Sequence, residues 1–518
     1  MILAAIPFFL LSCILFLIAQ KLTTDRLKRF PGPRLAAWTD LWRVLDTYFG
    51  SHKPPSSIIL HRKYGDIVRV GPNALTFSNP QAIKDIYGTD NRYPKSEMYH
   101  VFAPSAGGHV TPSLFSSLDI TWHDNLRRAV NPAFNLSALV QYEPFVDNTT
   151  REFLSQLSHR YADKPGTEGV VRLHEWMHWY AFDVIGEITY GSPFGALKNA
   201  SDIDGILAKT HRFLAYGMWA GYMPLIDKLT FKNPVLLWLH RRGYVTSAPN
   251  PVVTWALKYQ QASRPNNNNN QEDKPQPLLE KFLGAKETHP SIITDKEVLS
   301  MGLSAILAGS ESTGVTLTAI FYYILKNPSV LATLQAELDT AFPTAASTTP
   351  IEFKHAFALP YLDACLEETF RLHPAARFTA ERLLPPQGAH ISSQKIPGGT
   401  LVGINAWALH HRADVFGSDV DSYIPERWLP RPTEPYEQER ARIDAMSRTL
   451  FHFGAGRFGC ISKNVSLLEM YKVVPAVLRA FEMSLEDPGR EWRFEDGSFV
   501  NVSGVDVRLR RRRTTDGS

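Results

Sequence analysis

The chain has 518 residues, enough for several ordinary domains or for one large domain behind a short leading segment. Its 55 Lys and Arg against 51 Asp and Glu leave a formal charge of only +4, which excludes the basic footprint of a nucleic-acid binder. Three cysteines exclude a disulfide framework and point to a reducing compartment; Cys13 falls in the first apolar run, leaving Cys365 and Cys460 to explain.

Residues 2–19 are almost wholly apolar and uncharged, and Lys21, Arg26, Lys28 and Arg29 follow them. That length suits one bilayer crossing, and charge placed after the run orients the rest of the chain to the cytosol. A cleaved signal peptide is the competing reading, disfavoured because the basic residues follow the apolar run. The expected plan is therefore a transmembrane anchor over 1–20, a basic, proline-rich linker over 21–34 and a single large domain over 35–518. Because Phe30-Pro31-Gly32-Pro33 interrupts helix, anchor and domain are expected to be separable.

Short β-type runs at 67–70 and 75–77 are followed by long helical stretches, and no solenoid or propeller repeat is evident. The polar Asn266 to Asn270 tract reads as a mobile loop. Thr294-Asp295-Lys296-Glu297 is a capping box that opens a long helix ending at Asn327-Pro328. In its middle, Ser310, Glu311, Ser312 and Thr313 cover every face and are flanked by Gly309 and Gly314, which reads as a break with a functional reason or as a kink against a neighbour. A second helix opens at Pro360 and ends before His373-Pro374, with Glu368 and Arg371 sharing a face. The basic run Arg508, Arg510 to Arg513 reads as a solvated tail, with a membrane or partner contact as the alternative. Five Asn-X-Ser/Thr sequons begin at Asn135, Asn148, Asn199, Asn464 and Asn501, none usable on a cytosolic domain.

The segment from Phe453 to Cys460 contains Gly454-x-Gly456-x-x-Gly459. Too little chain follows for a dinucleotide-binding fold. A metal–thiolate site fits better: glycines let the backbone turn beside a flat ligand, Arg457 meets an anion, and a helix beginning near Ile461 sets Cys460 at its N-terminus. No Cys or His cluster completes a zinc site around Cys460, whereas haem needs a single protein ligand from this side.

Phe453-Gly454-x-Gly456-Arg457-x-x-Cys460 resembles the haem-binding loop of the cytochrome P450 family, departing from it at Ser462, where glycine is usual. The resemblance extends to Glu368-x-x-Arg371, to Tyr423-Ile424-Pro425-Glu426-Arg427 and to Ala308-Gly309-Ser310-Glu311-Ser312-Thr313. It implies a mainly α fold with small β-sheets, haem b ligated by Cys460, and a structural triad of Glu368, Arg371 and Arg427. His123, Arg127, Arg382 and Arg457 become the haem propionate partners, Phe453, Gly454 and Gly456 the loop under the haem. Glu311 becomes the proton relay, with Ser312 or Thr313 hydrogen-bonding bound oxygen across a gap in the helix at Gly309. The motifs are most similar to fungal secondary-metabolism members akin to pisatin demethylase.

The implied activity is insertion of one atom of O2 into a lipophilic small molecule, on the endoplasmic reticulum membrane. Nothing in the chain offers a nicotinamide or flavin site, so electrons are expected from an NADPH-cytochrome P450 reductase. The substrate pocket is expected to draw on 101–119, on a helical hairpin within 202–239, on the long helix and on 375–379, with Arg377 a candidate for a carboxylate or carbonyl. Competing readings are a haem-thiolate isomerase or dehydratase without a reductase, and a non-enzymatic haem sensor.

Overall fold

The computed structural model describes residues 25–49, 56–90, 93–245, 251–262, 275–343, 350–495 and 497–512. The apolar run 1–20 and the Asn266 to Asn270 tract lie outside them. Among the described residues no helix is long and apolar enough to cross a membrane.

Helices dominate. Those that build the site are α1 (Ile120–Val130), α2 (Leu136–Arg160), α3 (Leu173–Tyr190), α4 (Ile206–Tyr222), α5 (Asp295–Lys326), α6 (Pro360–Leu372) and α7 (Lys463–Ala480). One four-stranded sheet runs in the order β1, β2, β5, β4: β1 (Ile67–Gly71) pairs antiparallel with β2 (Ala74–Phe77), β2 parallel with β5 (Leu401–Ile404), and β5 antiparallel with β4 (Arg382–Leu383). Near the chain's end, β7 (Asp506–Arg511) lies between β6 (Phe481–Leu485) and β3 (Val170–Arg172). The main core is helical and includes Phe153, Trp176, Tyr180, Leu317, Phe321 and Tyr471.

The capping box forms at Thr294, whose hydroxyl accepts from Lys296 N (3.3 Å) while Glu297 accepts from Thr294 N (3.0 Å). From there α5 is unbroken to Lys326, so the expected interruption at residues 309–314 is absent. The glycines serve close packing instead: a Cβ at 309 would stand 2.9 Å from Ile185 Cγ1, and one at 314 would stand 2.9 Å from the His178 ring, both on α3. The hydroxyls of Ser310, Ser312, Thr316 and Thr318 donate to carbonyls one turn back, which lets a polar turn lie in a helix without breaking it.

Glu368 and Arg371 on α6 meet Arg427 in a buried cluster. Arg371 donates through Nε (2.8 Å) and Nη2 (2.7 Å), Arg427 Nε (2.9 Å) and Trp428 Nε1 (2.9 Å) donate to the same carboxylate, and so does Ile424 N (2.9 Å). Every carboxylate lone pair is used, the condition under which a buried charge group is tolerated.

Two other stretches differ from their reading in the sequence. The residues taken as linker are packed from Asp25 onward: Leu27 and Phe30 are core residues and Asp25 bonds Arg69 at 2.6 Å. The described part of the basic run is no tail either: Arg508, Arg510 and Arg511 lie in β7, where Arg508 pairs with Glu486, Arg511 with Asp163 and Arg512, just beyond it, with Asp339, and Arg513 lies outside the described residues.

Removing residues 1–24 is therefore expected to leave the stability of the domain unchanged. Removing 1–28 is expected to lower it by about 2–5 kcal/mol, through loss of the buried Leu27 and the partner of Arg69. Urea unfolding of the two truncated proteins checks this, and equal midpoints would show that the segment contributes nothing.

Candidate functional site

A cavity of about 330 Å³ opens between α5 and the cysteine loop. Cys460 forms part of one wall; Ala305, Ala308, Gly309, Ser312, Thr313 and Thr316, all on α5, form another. Elsewhere the lining is mainly apolar, with Phe115, Ile185, Met301, Ala375, Phe378 and Phe499, and Lys95, Arg127, Arg382 and Glu469 are the charged residues among it.

Local sequence explains how Cys460 comes to point inward. Gly454 (φ 68°) and Gly456 (φ 62°) take the left-handed conformation, and a Cβ at 456 would collide with Tyr87 O at 1.9 Å. The loop then closes with Cys460 N donating to Phe453 O (2.8 Å), and α7 begins at Lys463, two residues later than the sequence suggests. Ser462, the departure from the family loop, is the residue before α7, and its hydroxyl lies 3.5 Å from Cys460 Sγ. Cys365 faces no cavity: it is buried on α6 with its thiol pushed far up by burial.

Cationic side chains crowd the rim beside the loop. Arg127 donates from Nη1 to Gly459 O (2.8 Å), Arg457 pairs with Asp124, and Arg382 donates to Glu381 O (2.8 Å) and Tyr99 Oη (3.2 Å). Lys95 joins them, a residue that sequence reasoning missed because a lone lysine in a loop carries no periodic or motif signal. Its Nζ is buried, bonds Leu114 O and Phe115 O (both 2.7 Å), and is held well below the usual lysine range by burial and by Arg382 and Arg127. His123 is buried too and lowered to about 4, chiefly by burial and then by Lys95, so its imidazole is neutral. With Nδ1 donating to Asp124 (3.3 Å), its Nε2 carries a lone pair and adds no donor for an anion.

Similarity to known proteins decides what such a site belongs to. The family model described as Cytochrome P450 matches residues 35–504. The chain is 36% identical to the cytochrome P450 monooxygenase cicH of Emericella nidulans over 94% of each chain. It is 35% identical to a cytochrome P450 monooxygenase of Aspergillus terreus, covering 93% of this chain and 95% of that one. It is 31% identical to the cytochrome P450 monooxygenase cfoH of Aspergillus candidus, covering 94% and 89%. This chain belongs to the cytochrome P450 family. The protein is thus an oxidoreductase of a monooxygenase family whose cofactor is a thiolate-ligated haem.

The residues of this P450 fit that cofactor. A lone thiol faces the cavity, Lys95, Arg127 and Arg382 line it as cations that repel one another, and Thr313 Oγ1 is buried there without a protein partner, while Arg457 lies outside the lining. An anionic rim on the bound group would relieve the repulsion among these cations.

On α5 the three polar residues divide. Ser312 lines the cavity but donates its proton to Ala308 O (2.7 Å), whereas Thr313 lines it with its hydroxyl uncommitted. Glu311 does not line it: one residue from Ser312 is about 100° round a helix, and its carboxylate is buried on the flank against α3. Of the stretches expected to shape the pocket, residues 113–115 and Ala375, Ala376 and Phe378 do so, but nothing from 202–239 does. Residues 98–102 and 118 stand in between, packing Met98, Tyr99, Phe102 and Leu118 against Leu214 and Tyr222. Arg377 is also absent from the lining and faces a separate hollow that holds Asp46.

Replacing Lys95 with Met is expected to speed loss of haem to an acceptor protein about tenfold to a hundredfold, the worth of one charge-assisted hydrogen bond. The exposed neighbour of Arg127 offers the control: Arg128→Met should leave the rate unchanged. Equal release from parent and Lys95→Met would remove Lys95 from the binding site.

Proposed function

We propose that this P450 inserts one oxygen atom into a lipophilic small molecule, an intermediate of fungal secondary metabolism, with electrons delivered by an NADPH-dependent reductase. The observation that carries the reading is the shared cavity of Cys460 and Thr313, with a mainly apolar lining and a cationic rim beside the cysteine loop. The three relatives bear the name monooxygenase, and the Cys460 loop keeps the family's ligand arrangement. We also place the domain at the cytosolic face of the endoplasmic reticulum, held by residues 1–20, a reading supported by their composition alone.

Haem bound against Cys460 supplies oxygen activation, with the thiolate favouring O–O cleavage. Arg127, Arg382, Arg457 and Lys95 hold the acidic edge of that group. Phe115, Ile185, Met301 and Phe378 exclude water and receive an apolar substrate. Thr313 Oγ1 donates a hydrogen bond into the cavity, and Ser312, whose proton is engaged, accepts one there. Glu311, behind them, holds a proton to pass inward.

Incubating the purified protein with reductase, NADPH, isotopically labelled O2 and a panel of lipophilic compounds tests the reading. Product carrying one labelled atom is the expected result. Rearranged product formed without reductase would establish the isomerase or dehydratase instead, and haem binding with no turnover under any condition would favour the sensor.

Two substitutions refine the assignment. Cys460→Ser is expected to abolish the strongly red-shifted Soret band of the reduced carbon monoxide complex, since an alcohol is a far weaker donor, while Cys365→Ser keeps it. Glu311→Gln, away from the cavity lining, is expected to retain haem and substrate binding but to slow product formation about 10²–10⁴-fold, with oxygen leaving as hydrogen peroxide. An unchanged yield of product per NADPH would remove Glu311 from proton delivery.

A further inference from the structure

The carboxylate of Glu311 belongs to a buried cluster assembled from three helices and the C-terminal segment. Asn501 Nδ2 donates to Glu311 Oε2 (3.1 Å) and to Nδ1 of His211 on α4 (2.9 Å). Asn501 Oδ1 accepts from Nε2 of His178 on α3 (3.1 Å), and that same nitrogen lies 3.7 Å from Glu311 Oε2. His178 Nδ1, on the other side of the ring, meets His174 O at 2.8 Å.

With the Asn501 amide in this orientation and Glu311 ionised, the bonding assigns the charges. A backbone carbonyl only accepts, and Asn501 Oδ1 only accepts, so both nitrogens of His178 face acceptors. A neutral imidazole has one N–H, and only the imidazolium satisfies both contacts. Turning the Asn501 amide over would set its oxygen against the ionised carboxylate, so the amide and the imidazolium specify each other. His211 must then accept at Nδ1 and carry its proton on Nε2.

We propose that His178 is the proton donor that loads Glu311, with Asn501 as the positioning residue between them; this rests on the monooxygenase reading above. The step balances simply. His178 gives the Nε2 proton to Glu311 Oε2, leaving a neutral imidazole and a neutral carboxyl group. Asn501 turns its amide as this happens, offering Oδ1 to the new carboxyl O–H and Nδ2 to the emptied Nε2, while the proton of His211 moves from Nε2 to Nδ1 to meet Oδ1. Glu311 passes its proton towards the cavity, and the imidazole, whose side chain keeps 17% of its surface exposed against 3% for Glu311, is reprotonated from solvent. Asn501 is buried, which closes its sequon to glycosylation.

The groups around His178 suit this role. Its own helix supplies His174 and Glu175, α5 supplies Glu311, α4 supplies His211 through Asn501, and the C-terminal segment adds Glu495 and Asp506 beside His174. An imidazole can both carry and give up a proton, whereas an arginine in the same place could pair with Glu311 but never release one.

Two measurements test the proposal. Ring ¹⁵N resonances of the diamagnetic reduced carbon monoxide complex at neutral pH should show both nitrogens of His178 protonated, and Asn501→Leu should remove one of the two protons. A singly protonated ring in the parent protein would overturn the assignment. In turnover with reductase, NADPH and O2 and no added substrate, hydrogen peroxide released per NADPH should rise as pH goes from about 6 to about 9, across the imidazole range. His178→Gln should give the high value throughout, and His178→Arg should do the same despite restoring the cation. Recovery of the parental profile by His178→Arg would reduce His178 to a structural counter-ion and defeat the proposal, as would identical profiles in parent and His178→Gln. Failure of the parent to consume NADPH would count against the monooxygenase reading instead, while the ring resonances would still report the loading state.

Discussion

Much of this molecule depends on how closely α3 and α5 approach. Gly309 against Ile185 and Gly314 against His178 leave no room for even one methyl group. Added bulk in such a contact typically costs about 1–3 kcal/mol and shifts the backbone. The approach sets the polar turn of α5 as a cavity wall and, on the adjoining flank, holds Glu311 within reach of His178. A single helix contact thus positions groups on both sides of α5.

The opposite wall is held by charge. Arg371 in the Glu368 cluster also donates to Val420 O and His410 O, and His410 Nδ1 donates back to Arg371 O. Burial lowers His410 to about 3, so its free Nε2 can accept from Phe451 N (2.8 Å), at the entry to the cysteine loop. A continuous run of hydrogen bonds therefore connects the cluster to the loop carrying Cys460. The fully used carboxylate, with five donor contacts from three side chains and one backbone amide, specifies one arrangement of α6 and the 423–428 segment rather than supplying large stability.

The sequence showed best what is local. The capping box at Thr294, the start of α6 at Pro360, the strands near 67–77 and the cysteine loop are all written in neighbouring residues, and each is found within a few positions of its expected place. What was illegible depends on contacts far apart in the chain. The glycines of α5 looked like a break because α3, which needs them, lies more than a hundred residues earlier. Lys95 carried no signal because Leu114, Phe115 and Arg382, which bury it, share no pattern with it. The segment before Arg34 looked like a spacer since prolines mark it, while the pairing of Asp25 with Arg69 has no local trace. Four members of the Glu311 cluster come from positions 178, 211, 311 and 501, a set that no spacing rule would assemble.

The placement of β7 has a consequence for how the chain reaches this state. It is the central strand of its sheet, with β6 shortly before it and β3 more than three hundred residues before it in sequence. Pairings of such long range are slow to close and await nearly complete synthesis. Asn501 lies just ahead of β7, and Cys460 is itself late in the chain. The helical body can therefore collapse early on its local contacts, but the thiolate loop and the amide that orders His178 and Glu311 arrive last. A chain stalled or cut short near its end would be compact and largely helical, and chemically incomplete.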